Sequence, residues 1–348
     1  MGKCIGTVLL LRSSITLTEI CRNDNIDIIA PGESMRPTTI VPPSVPAAAS
    51  AASAISTTSG EARGMLLGFI GVAIFSLTLP FTRLAVRELD PLFLTLGRAL
   101  GAAVLAGIWL RVRRAALPGR AALAPLAIVA LGCVLGFPLL TSIAMRTLPA
   151  AHGAVLVGVL PLATALYAAL RGFERPSAGF WGMALLGSSL VLAFALGQGG
   201  GSLHRADLLM FGAIVAAAAG YAEGGRLARR LGGQEVICWA LVLAAGPAAV
   251  LLVALDGDRL GRLGAVGAAG WLGFAYVTVF SMFIGFFFWY RGLALGGVAR
   301  VGQVQLLQPF LSLAGAAVLL GEPLTLANAA FALAVIATVA LGRRMQVR

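Results

Sequence analysis

Apolar runs of about 20 residues recur ten times between Met65 and Leu341, separated by short connections that carry Arg. An α-helix rises about 1.5 Å per residue, so each run matches the roughly 30 Å hydrocarbon core of a bilayer. Inside that core every backbone N–H and C=O must find its partner within the structure, and for runs of this length the helix is the conformation that provides it. Composition agrees with this reading. Hydrophobic residues make up 59% of the chain and charged residues 11%, against about 25% charged in a soluble domain.

The runs are placed at Met65-Arg83, Pro91-Leu110, Leu123-Met145, Ala150-Leu170 and Ser177-Leu196 in the first half. In the second they fall at Asp207-Leu227, Val236-Leu255, Ala268-Tyr290, Gly297-Leu320 and Leu324-Leu341. Trp109, Trp181, Trp271, Trp289 and Tyr290 fall near run ends, where interfacial aromatics belong. Gly197-Gly201 and Ser202 form a flexible linker without apolar content.

The net charge of +12 does not point to nucleic acid, because the Arg residues sit between spans and there is no soluble basic face. With the N-terminus inside, the inside loops and ends beyond the tail hold fifteen Arg. The outside loops hold six: Arg83, Arg87, Arg146, Arg205, Arg259 and Arg262. The positive-inside rule then puts both termini in the cytoplasm of a cell whose plasma (inner) membrane holds the protein.

Residues 1-60 read differently. Ile5-Leu11 is short for a signal-peptide core and is cut off by Arg12. Met-Gly-Lys-Cys-Ile-Gly lacks the Ser or Thr of a myristoylation signal at position six. Pro42-Gly60, rich in Pro, Ala, Ser and Thr, cannot bury a core. The expectation is a disordered cytoplasmic tail over 1-60, with a start at Met35 or Met65 as the alternative. Cys4, Cys21, Cys133 and Cys238 form no CxxC pair, and neither a disulfide framework nor a metal site follows from them.

The chain is duplicated. A shift of 148 residues lays Pro161 on Pro309 and Glu174 on Glu322, each Glu thirteen residues after its Pro. At a shift of 143, Arg83-Leu84-Ala85 falls on Arg226-Leu227-Ala228. Five spans per half is an odd number, so the halves would sit in opposite orientations. Inverted repeats of that kind place a substrate site near the midplane between them. The organisation expected is a tail (1-60), a first repeat (65-196), a linker (197-206) and a second repeat (207-342).

Five spans twice, Leu96-Gly97-Arg98-Ala99-Leu100 in the second span, and Pro-x12-Glu closing the fourth and ninth resemble the EamA-type ten-helix transporters of the drug/metabolite transporter superfamily. That resemblance covers Met65 to Leu341. It implies an all-α integral membrane protein of ten transmembrane helices, built as two inverted five-helix repeats around a central cavity. It also implies transport of small metabolites, often amino acids or related compounds and frequently outward. Two departures alter the cavity wall and take the substrate out of the resemblance. Phe75-Ser76 replaces the usual Trp-Gly of the first span, and Glu223 in the sixth stands where the first has Pro80.

Charges at membrane depth are costly and therefore candidates for function. Arg98 lies about 10 Å into the second span. It is read either as a functional or architectural cation, or as one that snorkels to the surface. Glu223 lies about 24 Å into the sixth span, beside Tyr221 and among glycines that let another helix approach. It is read as a substrate or proton site, or as an interfacial acid paired with Arg226 three residues on. Their depths differ by about 14 Å, which argues against a direct pair. Gln303, Gln305 and Gln308 in the ninth span have apolar counterparts in the first half, and at least one is expected to line the cavity beside a break at Pro309.

Glu174 and Glu322 are read as turn carboxylates favouring the N-terminus of the helix that follows each, and His152 and His204 as interfacial. No Walker A, GxSxG, HExxH or paired-carboxylate arrangement is present. No enzyme, cofactor or nucleotide-driven pump is therefore expected. The partners expected are a small-molecule substrate and the lipid bilayer, and the chain reads as a secondary transporter. An integral-membrane enzyme, or a channel or scaffold without coupling, are the alternatives.

Overall fold

The computed structural model of the chain describes residues 47–172, 177–198, 204–254, 262–296, 301 and 304–344. Among them every regular element is helical. Seven helices are long and apolar enough to cross a membrane. They are α1 (Ala62–Val86), α2 (Pro91–Val112), α3 (Arg120–Ala144), α4 (Ala150–Leu170), α6 (Arg205–Leu231), α7 (Gly233–Val253) and α8 (Ala268–Gly296). Three further apolar helices complete the order: α5 (Ala178–Gln198), α9 (Gln305–Leu320) and α10 (Leu326–Arg344). Most of the tail and of the linker, together with Glu174 and Gln303, lies outside the described residues. Helical backbone already starts at Ala47, inside the stretch expected to be disordered. The run of Ala there has the highest helix propensity of any residue.

Helices pair across the two halves. α2 packs along α7, α5 along α10, and α4 against α9, while α6 meets α3 and α4 as α1 meets α8 and α9. Small residues bring the backbones together. A Cβ on Gly292 of α8 would stand 2.8 Å from the Gly68 nitrogen and 3.0 Å from the Gly64 oxygen of α1. Backbone atoms cannot turn away as a side chain can, so Gly292→Leu is expected to prevent assembly, a cost beyond the roughly 1–3 kcal/mol of ordinary overpacking. The corresponding control, Gly107→Leu, meets open space and should leave accumulation in the membrane unchanged. Detergent-extracted thermal melting of both variants checks this.

Among the described residues the spans are interrupted at five places, of which those in α3 and α8 and those in α4 and α9 are related by the repeat. α1 breaks at Leu77, before Pro80. Pro80 has no N–H to give Ser76, and the Ser312 hydroxyl of α9 donates to that Ser76 oxygen at 2.7 Å. α4 breaks between Val157 and Leu160, before Pro161, and α9 tightens to a 3₁₀ turn over Gln305–Leu307 before Pro309. α3 and α8 each widen into π-helix, over Ala130–Gly136 and Tyr276–Ile284. Short π segments inside α-helices frequently mark functional sites. α6, with Glu223 where α1 has Pro80, stays unbroken.

Trp289 and Tyr290 are buried against protein, and α8 continues past them to Gly296. His152 is buried too, its Nε2 2.8 Å from the Asp207 carboxylate of α6. That carboxylate also accepts the His204 N–H at 3.0 Å, closing the first turn of α6.

Candidate functional site

The breaks of α1, α4 and α9 and the π segments of α3 and α8 surround one buried cavity. Thr78 and Leu79 come from α1, Cys133 and Phe137 from α3, Val157 and Leu160 from α4, and Gln308 from α9. α2 contributes Arg98, α6 contributes Ala217 and Tyr221, and α8 contributes Ser281 and Phe286. The space open to the centre of a water-sized sphere is ≈ 20 Å³, enough for about one water.

Arg98 is the only charged residue on this wall, and it is 2% exposed. Its Nη2 reaches the Ser281 hydroxyl at 3.4 Å, and Ser281 in turn shares a 2.8 Å hydrogen bond with Thr78. Nε and Nη1 have no hydrogen-bond partner. Phe75 stacks on Tyr221 with ring centroids 6.4 Å apart and meets Phe286 edge-on at 4.9 Å. Trp289 closes on Tyr221 from behind at 5.7 Å. Gln308 Oε1, on the same wall, is buried without a partner.

Of the residues singled out from sequence, Arg98, Tyr221 and Gln308 therefore meet at the cavity. Gln305 is buried, its amide nitrogen unpartnered, but it lies off the wall. Gln303 falls outside the described residues. Glu223 stands apart from the cavity in a cluster of its own. It is fully buried and accepts from Arg226 at 2.9 Å, from Arg171 at 3.1 Å and from the Tyr167 hydroxyl at 3.4 Å. Thr78, Ser281 and the aromatic wall have no sequence motif. Ser281, a hydroxyl in the middle of an apolar run, was the one available signal.

Glu322 differs most from its sequence reading. It does not serve the helix that follows it. Its two carboxylate oxygens accept the Ala150 and Ala151 N–H groups at 2.9 and 2.8 Å, capping α4 from the other half of the chain. Arg83 of α1 pairs with it at 3.3 Å and also donates to the Met145 and Leu148 carbonyls. The orphan N–H groups of α4 are what draw the carboxylate there. Arg171 follows the last residue of α4, so the Glu322 and Glu223 clusters hold the two ends of that helix, about 30 Å apart by its rise. The break at Gly158 and the cavity lie between them.

A transporter whose spans break around a mostly apolar pocket with one buried cation is the class these features define. Sequence comparison agrees: the profile of the EamA-like transporter family matches residues 62–195 and again 204–342. An uncharacterized transporter, YdeK of Bacillus subtilis (strain 168), is 51% identical over 281 residues, spanning 81% of this chain and 97% of that one. A protein of known crystal structure, 19% identical, superposes with a TM-score of 0.58 over 81% of this chain and 96% of its own. At that identity the likeness concerns the fold alone. The chain belongs to the EamA-like transporter family, with two copies of the family's repeat, and is a membrane transporter rather than an enzyme. Among the described residues no group of three or more His, Cys, Asp or Glu could hold a metal ion.

Proposed function

We propose that this chain is a secondary transporter that moves a small metabolite, an amino acid or related compound, outward across the cell membrane by alternating access. Ten helices form two inverted five-helix repeats in this reading, with both termini in the cytoplasm. The observation that carries it is the cavity at the meeting point of the helix breaks, with Arg98 buried on its wall and room for about one water. Broken helices at the midplane between repeats are how secondary transporters build substrate sites.

Arg98, Tyr221 and Gln308 contact the substrate in this scheme, with Gln305 buried on the same helix as Gln308. Glu223 acts elsewhere. With Arg171 and Arg226 it closes the cytoplasmic end, as Glu322 with Arg83 closes the outer end. Opening one cluster while the other holds is the rocking of one repeat against the other that alternating access requires.

The test compares metabolites excreted by cells with and without the chain, then loads the compound that changes most into proteoliposomes. Flux that saturates with concentration is expected. Flux that rises linearly would make the protein a channel, and no altered compound with the chain in the membrane would remove the reading.

A further inference from the structure

The cavity wall carries one full positive charge and, among its residues, no negative one. A guanidinium taken out of water costs several kcal/mol unless a counter-charge and hydrogen bonds replace its hydration. Arg98 has neither in full. It has one long hydrogen bond to Ser281, two nitrogens without partners and 2% exposure. Arg226 and Arg171, by contrast, both reach Glu223, and Arg83 reaches Glu322. A cation left unneutralised at the centre, in a chain that neutralises these others, marks the place of a missing anion.

Resting on the reading of this cavity as the transport site, we propose that the substrate carries one carboxylate, which binds Arg98, on an otherwise apolar body. The planar fork of a guanidinium matches a carboxylate and holds it through charge-assisted hydrogen bonds. The Thr78–Ser281 hydroxyl pair stands beside it, and the one O–H not spent on their mutual hydrogen bond can donate to the same group. A single acid group neutralises the site. A dicarboxylate would leave a net negative charge in a low-dielectric pocket, and an amine without an acid group would place two cations together. The remainder of the wall, Phe75, Phe286, Tyr221 and Leu160, offers apolar and aromatic surface to the body of the molecule. Gln308 Oε1, buried there without a hydrogen-bond partner, is placed for a single N–H or O–H donor.

The experiment is untargeted profiling of the medium of cells expressing the wild-type chain, Arg98→Gln or Arg98→Lys, with the amount of each protein in the membrane measured in parallel. With wild type, the compounds whose excretion rises are expected to carry one carboxylate each. Arg98→Gln should lower that excretion at least ten-fold per molecule in the membrane, and Arg98→Lys, which keeps the charge, should retain part of it. Risen compounds that lack an acid group or carry two overturn the proposal and leave the transporter intact. So does an Arg98→Gln protein that excretes the same acids at the wild-type rate. No risen compound at all overturns the transport reading itself. Should Arg98→Gln fail to reach the membrane, the charge class of the wild-type compounds decides alone.

Discussion

Glu223→Ala is expected to abolish transport while the protein still inserts. The carboxylate is fully buried, and three donors from two helices converge on it: Tyr167 and Arg171 at the end of α4, and Arg226 on α6. Removing it takes from Arg171 and Arg226 the buried carboxylate they share. Breaking a fully buried pair costs about 3–5 kcal/mol. The Arg171 and Arg226 side chains are 50% and 33% exposed, so water recovers part of that, and roughly 1–3 kcal/mol is the sensible range. From a balanced equilibrium, about 1–3 kcal/mol takes a two-state carrier to roughly 85–99% of the form open at that end. A carrier held in one form does not cycle. Excretion per membrane-inserted molecule should fall at least ten-fold, whereas Glu223→Gln, still able to bond Tyr167, should fall less. If Glu223→Ala transports at the wild-type rate, the cluster does not close the cycle.

The residues involved show how far local sequence reaches. Seven of the spans were legible because bilayer thickness sets their length, and those helices depart from the apolar runs mainly at their ends. Arg98 was legible as one charge inside an apolar run, and the break beside Pro309 follows from proline chemistry. The Arg226 partner of Glu223 was legible at helical spacing, but Arg171 and Tyr167 were not, since nothing local brings the end of α4 to α6. Glu322 makes the same point more sharply. Its neighbours in sequence suggested the next helix, yet its N–H partners come 172 and 171 residues earlier. The π segments that turn Cys133 and Ser281 to the cavity wall have no residue signature, since a π turn is a register shift in hydrogen bonding rather than a preference of particular side chains. The duplication did carry over: the Pro pair lies at the paired breaks of α4 and α9.

The partner prediction concerns the other end of α4. Glu322→Ala removes the cap on Ala150 and Ala151 and the counter-charge of Arg83. Loss of a helix cap costs about 0.5–2 kcal/mol, and a partly exposed ion pair adds up to about 1 kcal/mol. Together, at about 1.4 kcal/mol per ten-fold, these bias the opening of the outer end by roughly 2–150-fold. The chain carries its own reporter. Cys133 lines the cavity and is a buried free thiol. In a background carrying Cys4→Ser, Cys21→Ser and Cys238→Ala, a membrane-impermeant thiol reagent added outside the cell should label Cys133 of the Glu322→Ala protein about ten-fold faster than the parent. Glu223→Ala should do the reverse, reacting in inside-out vesicles and staying protected in whole cells. The opposite signs matter most, because general loosening of the bundle would raise labelling from both sides in both variants. Equal labelling from the two sides would mean that the clusters hold the helices together without controlling access to the cavity.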